Sequence, residues 1–214
     1  VFTVHPRWLG EFLPRYREEV GLPFWCYSYP TTHDRELLGK LKDAGCVAIT
    51  MGVQSGSERI LRDYFNRPTK TERVIEAAQE IVDTGITGFY DLITRVDFET
   101  VDDMEETFEF LLKFPIQMNT FMLPNMTSYP NYQYSEDVIA AENAGTLNRP
   151  SEDEYEYYHH LYLLSRSTLP LSKIREIRGD PRYRENPTLM KEYFDHQPVL
   201  NFTDPVEHRE RQAV

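Results

Sequence analysis

The chain is predicted to fold as an α/β structure with parallel strands, because short apolar runs alternate along it with amphipathic segments of helical period. The clearest run covers residues 47–53 and is nearly continuous, which is typical of a strand that is covered on both faces. Short connections between such elements imply right-handed crossovers, so the pattern fits an α/β barrel or a doubly wound sheet. In both architectures, ligands bind at the carboxyl edge of the strands.

The individual elements follow from apolar spacing and from capping residues. The first segment, VFTVHPRWLGEFLPRYREEVG, is predicted to contain an amphipathic helix whose apolar side chains are Trp8, Leu9, Phe12, Leu13 and Tyr16. Gly45 is predicted to end the next helix, and Ser57 is predicted to cap the one after it. The predicted strands cover residues 21–30, 47–53, 86–93 and 117–123, and further helices cover residues 32–45, 70–83 and 101–113.

The C-terminal part is predicted to be mainly helical. Ser151 and Glu154 form a capping-box pattern at the start of SEDEYEYYHHLYLLSRS, and NPTLMKEYFDH is predicted as a short helix. The rest of the chain beyond Pro181 is predicted to be extended or mobile. His159 and His160 are adjacent, which is not the helical spacing that lets two histidines bind one metal ion. The chain is predicted to have two parts: residues 1–150, which contain the alternating strands and helices, and residues 151–214, which form a helical extension and a tail.

Polar residues collect at the end of the strand over residues 47–53. Gly52 and Gly56 bracket Gln54 and Ser55, and glycine allows a backbone to approach a ligand closely. The following helix would offer free N–H groups to an anion. An ordinary capped turn with nothing bound explains the same residues, so the turn by itself leaves both interpretations open.

A larger set of segments resembles one enzyme family. These segments are PFWCY, LLGKLKDAGCVAITMGVQSGSERIL, the Asn66 and Arg67 pair, and DLITRVDFETVDDMEET. Together they resemble the radical S-adenosylmethionine (radical SAM) enzymes, and in particular the branch that is often joined to a cobalamin-binding domain. The resemblance covers residues 1–121. It implies a partial (βα)6 TIM-like barrel, in which residues 1–150 supply strands three to six of the radical SAM core.

The resemblance also implies roles for five residues. Gln54 and Ser55 would lie beside the ribose and methionine parts of S-adenosylmethionine. Arg67 would pair with the carboxylate of the cofactor, a task that suits a planar guanidinium. Asp91 would accept hydrogen bonds from the ribose or the amino group, and Tyr27 occupies a position where relatives carry a polar ligand contact.

Three of these residues also have ordinary explanations. Arg67 could interact with the dipole of the preceding helix, Asp91 could satisfy a backbone turn, and Tyr27 could be a half-buried strand aromatic. The acidic residues Glu99, Asp102 and Asp103 are interpreted as structural, since they lie at the start of a predicted helix.

By resemblance, the intact protein would be an enzyme that binds S-adenosylmethionine and a [4Fe–4S] cluster. It would generate a 5′-deoxyadenosyl radical that abstracts hydrogen from a small-molecule substrate, with electrons from a donor protein. Cobalamin is a further candidate cofactor. The cluster and cobalamin sites would lie outside this chain, which is expected to be a fragment that starts after the second barrel strand and is inactive alone.

The sequence departs from the family pattern at two places. Arg95, Val96 and Asp97 stand where relatives usually show a glycine and a proline, so the backbone path after residues 86–93 is expected to differ. The family's CxxxCxxC loop, which supplies thiolates to the cluster, is absent, and the cysteines present are Cys26 and Cys46. Both are predicted to be small buried residues in a protein of the reducing cytoplasm, and a disulfide between them is the alternative.

Composition narrows the possible partners. The net charge of −12 argues against binding to a nucleic-acid backbone, and no segment is long and apolar enough to cross a membrane. The alternative function is a non-catalytic α/β binding or scaffold module that recognises a nucleotide-like ligand. A third interpretation, an acid–base barrel enzyme, would require Asp91 and His33 to be adjacent with shifted pKa values.

Overall fold

The computed structural model describes residues 1–115 and 121–196. Its strands are β1 (Phe24–Ser28), β2 (Cys46–Gln54), β3 (Thr87–Leu92) and β4 (Phe121–Met122). They pair in parallel in the order β1-β2-β3-β4. Because each strand lies next to its successor, every crossover moves in the same direction, as in a barrel, whereas the order reverses in a doubly wound sheet. The predicted α/β, TIM-like arrangement is therefore confirmed.

The helices alternate with these strands and then continue without further strands in the described part of the chain. They are α1 (Pro6–Glu19), α2 (Arg35–Asp43), α3 (Glu58–Asp63), α4 (Thr71–Asp83), α5 (Val101–Leu111), α6 (Gln133–Ala144), α7 (Glu152–Ser165), α8 (Leu171–Gly179) and α9 (Pro181–Glu185). Short 3-10 helices cover Phe2–Val4 and Pro187–His196. Of the predicted strand over residues 117–123, residues 117–120 lie outside the described residues.

Local sequence signals place most helix ends. The Asp34 carboxylate accepts a hydrogen bond from the Leu37 amide at 2.8 Å and so caps α2. Gly45 follows that helix with a φ of +101°, and the Ser57 hydroxyl accepts from the Ile60 amide at 3.4 Å at the start of α3. Ser151 and Glu154 form the predicted capping box of α7. The predicted caps are thus confirmed.

Two C-terminal elements differ from the prediction. Residues predicted to be extended form the short helix α9, where the Asp180 carboxylate accepts from the Arg182 amide at 3.0 Å. Pro181 occupies the first turn of α9, where its missing N–H is not needed. The segment predicted as a short helix is a 3-10 helix, Pro187–His196. The predicted tail over residues 197–214 lies outside the described residues.

The core lies on the face of the sheet that the helices cover. Ile49, Met51 and Val53 of β2 are fully or almost fully buried there, together with Tyr90 and Leu92 of β3. The opposite face is open at β1, where Trp25 is 51% exposed and Tyr27 is 50% exposed. The helix-covered face therefore stabilises the sheet, and the other face is accessible at β1.

The helical extension packs against α5. The Tyr162 hydroxyl donates to the Met104 carbonyl at 3.1 Å, and the Tyr158 hydroxyl donates to the Glu105 carboxylate at 2.8 Å. The division at residue 150 stays a prediction. Across the two described ranges, no helix combines the length and the hydrophobicity that a membrane span requires.

Asp103 is expected to make a measurable contribution to stability through its charge. Its carboxylate is buried, which by itself would raise its pKa, but hydrogen bonds from Arg59, Ser57 and Thr100 lower the pKa to about 2. A depressed carboxylate pKa adds stability above the unfolded-state value, and this stability is lost as the pH falls from about 4 to about 2. Asp103→Asn should therefore reduce the free energy of unfolding at neutral pH by about 2 kcal/mol.

Urea unfolding across that pH range measures this effect, and the exposed neighbour Asp102 offers a matched control. Asp102→Asn removes an exposed carboxylate from the first turn of the same helix, so it should change the unfolding midpoint much less than Asp103→Asn. An Asp103→Asn protein as stable as the wild type at neutral pH would show that the ion pair with Arg59 contributes nothing.

Candidate functional site

Gly52 lies at the centre of a group of polar side chains on the open face of the sheet. It pairs with Asp91 across β2 and β3, and the pairing register shifts between Gly52 and Gln54. Gln54 has a φ of +72°, a left-handed conformation that is unusual for a residue with a side chain. A Cβ atom added to Gly52 would lie 2.6 Å from Nε2 of Gln54. The glycine therefore makes room for the Gln54 carboxamide to fold back over the strand.

The loop after α3 brings Arg67 to the same glycine. Asn66 adopts a φ of +50°, and the Arg67 amide donates to the Leu61 carbonyl at 2.8 Å, which turns the chain back after the helix. Nη1 of Arg67 donates to the Gly52 carbonyl at 3.2 Å. The guanidinium also lies over the ring of Tyr29, 5.1 Å from its centroid. Arg67 is thus held from two sides by neutral groups.

Arg67 differs in this respect from two other arginines near the carboxyl edge of the sheet. Arg59 pairs with the Asp103 carboxylate, and Arg95 pairs with the Glu152 carboxylate at 2.7 Å. Among the described residues, no carboxylate lies within ion-pair distance of Arg67, although its side chain is partly buried. A partly buried guanidinium with free N–H groups is suited to bind an anion.

Asp91 supplies a carboxyl group on the strand next to Gly52. It is partly buried on β3, and burial raises the pKa of its carboxyl group. Within the part of the chain that the structure describes, its carboxyl group has no hydrogen-bond partner. The side chains of Gln54 and Arg67 therefore lie at Gly52, and Asp91 is paired with this glycine on the neighbouring strand. The polar atoms that these residues leave unbonded are available to a ligand that carries both charges.

Ser55 and Tyr27 are placed differently from these three residues. Ser55 is 2% exposed, and its hydroxyl lies 3.3 Å from the Thr107 hydroxyl on α5 and accepts from the Ser57 amide at 3.1 Å. Its side chain therefore supports the turn from the helix side. Tyr27 lies on the open face, paired with Thr50, and its ring packs against Trp25 at 4.8 Å. Both assignments stay predictions.

One family model matches the part of the chain that contains this edge of the sheet. The model of the radical SAM superfamily matches residues 6–111, which include β1 to β3 and the loops around Gly52. Residues 6–111 belong to the radical SAM superfamily. Enzymes of this superfamily use S-adenosylmethionine together with a [4Fe–4S] cluster.

Individual proteins are similar to parts of this chain. An uncharacterized methyltransferase of Pyrococcus horikoshii is 24% identical over 148 residues, which are 69% of this chain and 32% of that protein. The archaeal Elp3 of Methanocaldococcus infernus, with an N-terminal deletion, has a TM-score of 0.51 at 16% identity, over 66% of this chain and 32% of that one. The radical S-adenosylmethionine methyltransferase TsrM of Kitasatospora setae, solved with cobalamin and a [4Fe–4S] cluster, has a TM-score of 0.51 at 19% identity, over 66% of this chain and 26% of that one.

At these identities the structural likeness shows a shared fold. The chain spans about a third or less of the length of these proteins. The matched residues 6–111 include the open edge around Gly52.

The two cysteines of the radical SAM domain do not fit a cluster. Cys26 and Cys46 are free and buried, as predicted, and the Cys46 thiol donates to the Ala48 carbonyl at 3.3 Å. Within the described ranges, no group of three or more His, Cys, Asp or Glu residues could hold a metal ion. A [4Fe–4S] cluster takes several cysteine thiolates, and these two buried thiols cannot supply them.

The loop after β3 contains Arg95, one of the residues at which the sequence departs from the family pattern. Arg95 adopts a φ of +57°, the left-handed conformation that glycine takes most readily. Its side chain pairs with Glu152 and lies 4.9 Å from the centroid of the Tyr155 ring, so the loop is fastened to α7. The chain thus makes a left-handed turn at this position with an arginine, and contacts with the helical extension offset the strain.

Glu99 lies in a small cavity between this loop and α7. The residue is 4% exposed, and the aromatic side chains of the cavity are Tyr155, Tyr158, His159 and Tyr162. Burial, with a smaller contribution from the negative charge of Asp103, raises the pKa of Glu99 to about 8. Glu99 is therefore mostly protonated at neutral pH, in contrast to the ionised Asp103 that caps α5 beside it.

Glu99→Gln is expected to stabilise the protein in a pH-dependent way. The wild-type acid ionises near pH 4.5 when unfolded but only near pH 8 when folded, so wild-type stability falls as the pH rises between these values. The variant does not titrate, and its melting temperature should exceed that of the wild type most above about pH 8. The exposed Glu106→Gln is a matched control. Parallel melting curves for both variants across this range would contradict the buried placement of Glu99.

The acid–base interpretation receives no support from the positions of His33 and Asp91. His33 is buried beside Ser28, whose hydroxyl lies 2.5 Å from Nδ1, and its Nε2 lies 3.9 Å from Glu80. Burial lowers the pKa of His33, and the charged groups that act on it are Glu80, Arg73 and Asp34. Asp91 belongs to the other face of the sheet.

Sequence reasoning missed Tyr29 as a member of the site. Its hydroxyl lies 2.7 Å from the Thr69 hydroxyl, and its ring contacts Arg67. The sequence showed aromatic residues at both Tyr27 and Tyr29, but strand periodicity ends at Ser28 and gives no direction for the next side chain.

Proposed function

We propose that this radical SAM domain binds S-adenosylmethionine at the carboxyl edge of its sheet. Arg67 pairs with the carboxylate of the methionine part, and Asp91 accepts hydrogen bonds from the amino group or the ribose. The Gln54 carboxamide lies over Gly52 and forms hydrogen bonds with polar atoms of the cofactor between Arg67 and Asp91. Ser55 contributes through the backbone of the turn, and Tyr27 borders the open face.

The observation that carries this proposal is the unpaired guanidinium of Arg67. In a chain of net charge −12, a partly buried arginine held by a carbonyl and an aromatic ring keeps its charge available for a ligand. A carboxylate that enters here receives a charge-assisted pair of hydrogen bonds. Asp91, which has a raised pKa and no partner among the described residues, is stabilised when a cationic amino group arrives beside it.

The chemistry belongs to the cofactor. When reduced at a [4Fe–4S] cluster, S-adenosylmethionine supplies a 5′-deoxyadenosyl radical for hydrogen abstraction. The residues of this domain bind and orient the cofactor, and the cluster ligands are not among them. A small-molecule substrate, an electron donor protein, a cytoplasmic location, cobalamin as a further cofactor and the inactivity of residues 1–214 alone are parts of the same proposal.

The test uses the full-length protein, purified anaerobically with its iron and sulfide content measured. Isothermal titration should show binding of S-adenosylmethionine, and addition of a strong reductant should release 5′-deoxyadenosine. A cluster-loaded protein that binds S-adenosylmethionine but yields no 5′-deoxyadenosine would favour the alternative, a non-catalytic module for a nucleotide-like ligand. A protein that does not bind S-adenosylmethionine would contradict the proposed function.

A further inference from the structure

We infer that Tyr29 is a positioning residue for Arg67, which it holds in place to receive the carboxylate of an amino-acid-type ligand. This inference rests on the proposed function and adds a residue, Tyr29, that the sequence analysis did not place at the site. The Arg67 guanidinium carbon lies over the Tyr29 ring, 5.1 Å from the ring centroid.

Tyr29 is itself fixed from both ends. Its hydroxyl lies 2.7 Å from the hydroxyl of Thr69, two residues after Arg67. Its backbone is closed into a turn with Thr32, whose amide donates to the Tyr29 carbonyl at 2.9 Å and whose hydroxyl accepts from the Tyr29 amide at 3.1 Å. The ring therefore joins the loop after β1 to the loop after α3, and its position is set independently of any ligand.

The chemical type of this support matters. A carboxylate in the place of Tyr29 would hold the guanidinium equally well but would neutralise it, as Asp103 does for Arg59. The face of an aromatic ring attracts a cation while leaving its charge and most of its N–H groups available. Together with the Gly52 carbonyl, the ring restricts the rotamers of Arg67 before the ligand arrives, so less conformational entropy is lost on binding.

The predicted consequence is a selective effect on affinity. In the full-length, cluster-loaded protein, Tyr29→Leu should weaken binding of S-adenosylmethionine about tenfold, as measured by isothermal titration. Tyr29→Phe keeps the ring face and should stay within about threefold of the wild type. In assays of 5′-deoxyadenosine release, Tyr29→Leu should raise the KM for S-adenosylmethionine by a larger factor than it lowers kcat, because Tyr29 acts on binding through Arg67 and touches no reacting atom.

A double-mutant cycle separates positioning from a general structural role. If Tyr29 acts through Arg67, the variant with both Arg67→Ala and Tyr29→Leu should bind as weakly as Arg67→Ala alone. Tyr16→Leu is a matched control, since Tyr16 packs near the start of β1, against Phe24, and should leave the affinity unchanged.

The outcomes of this cycle distinguish the inference from the function on which it rests. An unchanged affinity in Arg67→Ala would overturn the proposed carboxylate site itself. A large loss in Arg67→Ala with none in Tyr29→Leu would overturn the inference about Tyr29 alone. Additive losses in the double variant, or a Tyr29→Phe protein that binds ten times more weakly than the wild type, would also overturn it. If Tyr29→Leu fails to fold, the affinity of Tyr29→Phe for S-adenosylmethionine tests the inference, since tenfold weaker binding would contradict a role of the ring face.

Discussion

Gly56→Ala should destabilise the protein by about 3 kcal/mol, the largest loss of stability expected from a single added methyl group in this domain. A Cβ atom at Gly56 would lie 2.6 Å from Cα of Thr107 and 2.8 Å from Cβ of Phe110, both on α5. These atoms belong to or adjoin helix backbone, so they cannot move aside as the end of a flexible side chain could. The Gly56 amide also donates to the Thr107 hydroxyl at 3.0 Å, and this bond would be strained as α5 is pushed away.

Gly39→Ala provides the matched control for this substitution. Gly39 lies in α2, and apart from the adjacent residues and the backbone of its own helix, no atom would lie within 4 Å of an added Cβ. Alanine is the better helix former, so Gly39→Ala should stabilise the protein by about 0.5 to 1 kcal/mol. Urea unfolding of both variants measures the contrast. A Gly56→Ala protein with the wild-type unfolding midpoint would show that α5 does not approach the turn as closely as the structure indicates.

Arg67→Ala should weaken binding of S-adenosylmethionine by about 100-fold, because it removes a charge-assisted hydrogen-bonded pair from a partly buried site. Arg67→Lys keeps the charge but loses the planar fork and the stacking on Tyr29, and should weaken binding by about tenfold. The measurement is isothermal titration of the full-length, cluster-loaded protein.

Arg62→Ala controls for the change in net charge. Arg62 lies on the preceding helix, pairs with Asp63 at 2.6 Å and has a side chain that is 64% exposed. Its removal should leave the affinity unchanged. Equal losses in Arg62→Ala and Arg67→Ala would mean that general electrostatic attraction, and not a specific pair, holds the ligand.

Local signals were sufficient to predict much of the fold. The apolar run of β2, the Ser57 cap, the Gly45 turn and the Ser151 capping box each depend on residues close in sequence. The 3-10 conformation of Pro187–His196 could not be predicted in this way, because helix type there depends on packing against α7 and α9. The short helix α9 did carry a signal, since Asp180 and Pro181 are a typical cap and first residue.

The site was less accessible to sequence reasoning than the fold. Gln54 and Asp91 were predicted at a common edge because the ends of parallel strands meet there. The direction of Ser55 could not be predicted, since the left-handed backbone of Gln54 breaks the alternation of the strand just before it. Tyr29 was missed for a related reason, because its contact with Arg67 joins two loops 38 positions apart, and neither loop has a repeating pattern.

The central claim is that Gln54, Arg67 and Asp91 surround one ligand site at Gly52. A crystal structure of the full-length protein with S-adenosylmethionine tests it most directly. We expect the methionine carboxylate to lie about 3 Å from the Arg67 guanidinium, with the Asp91 carboxyl group on the amino or ribose side of the same molecule. A cofactor bound elsewhere on the sheet edge, with Arg67 still free of any anion, would contradict the claim.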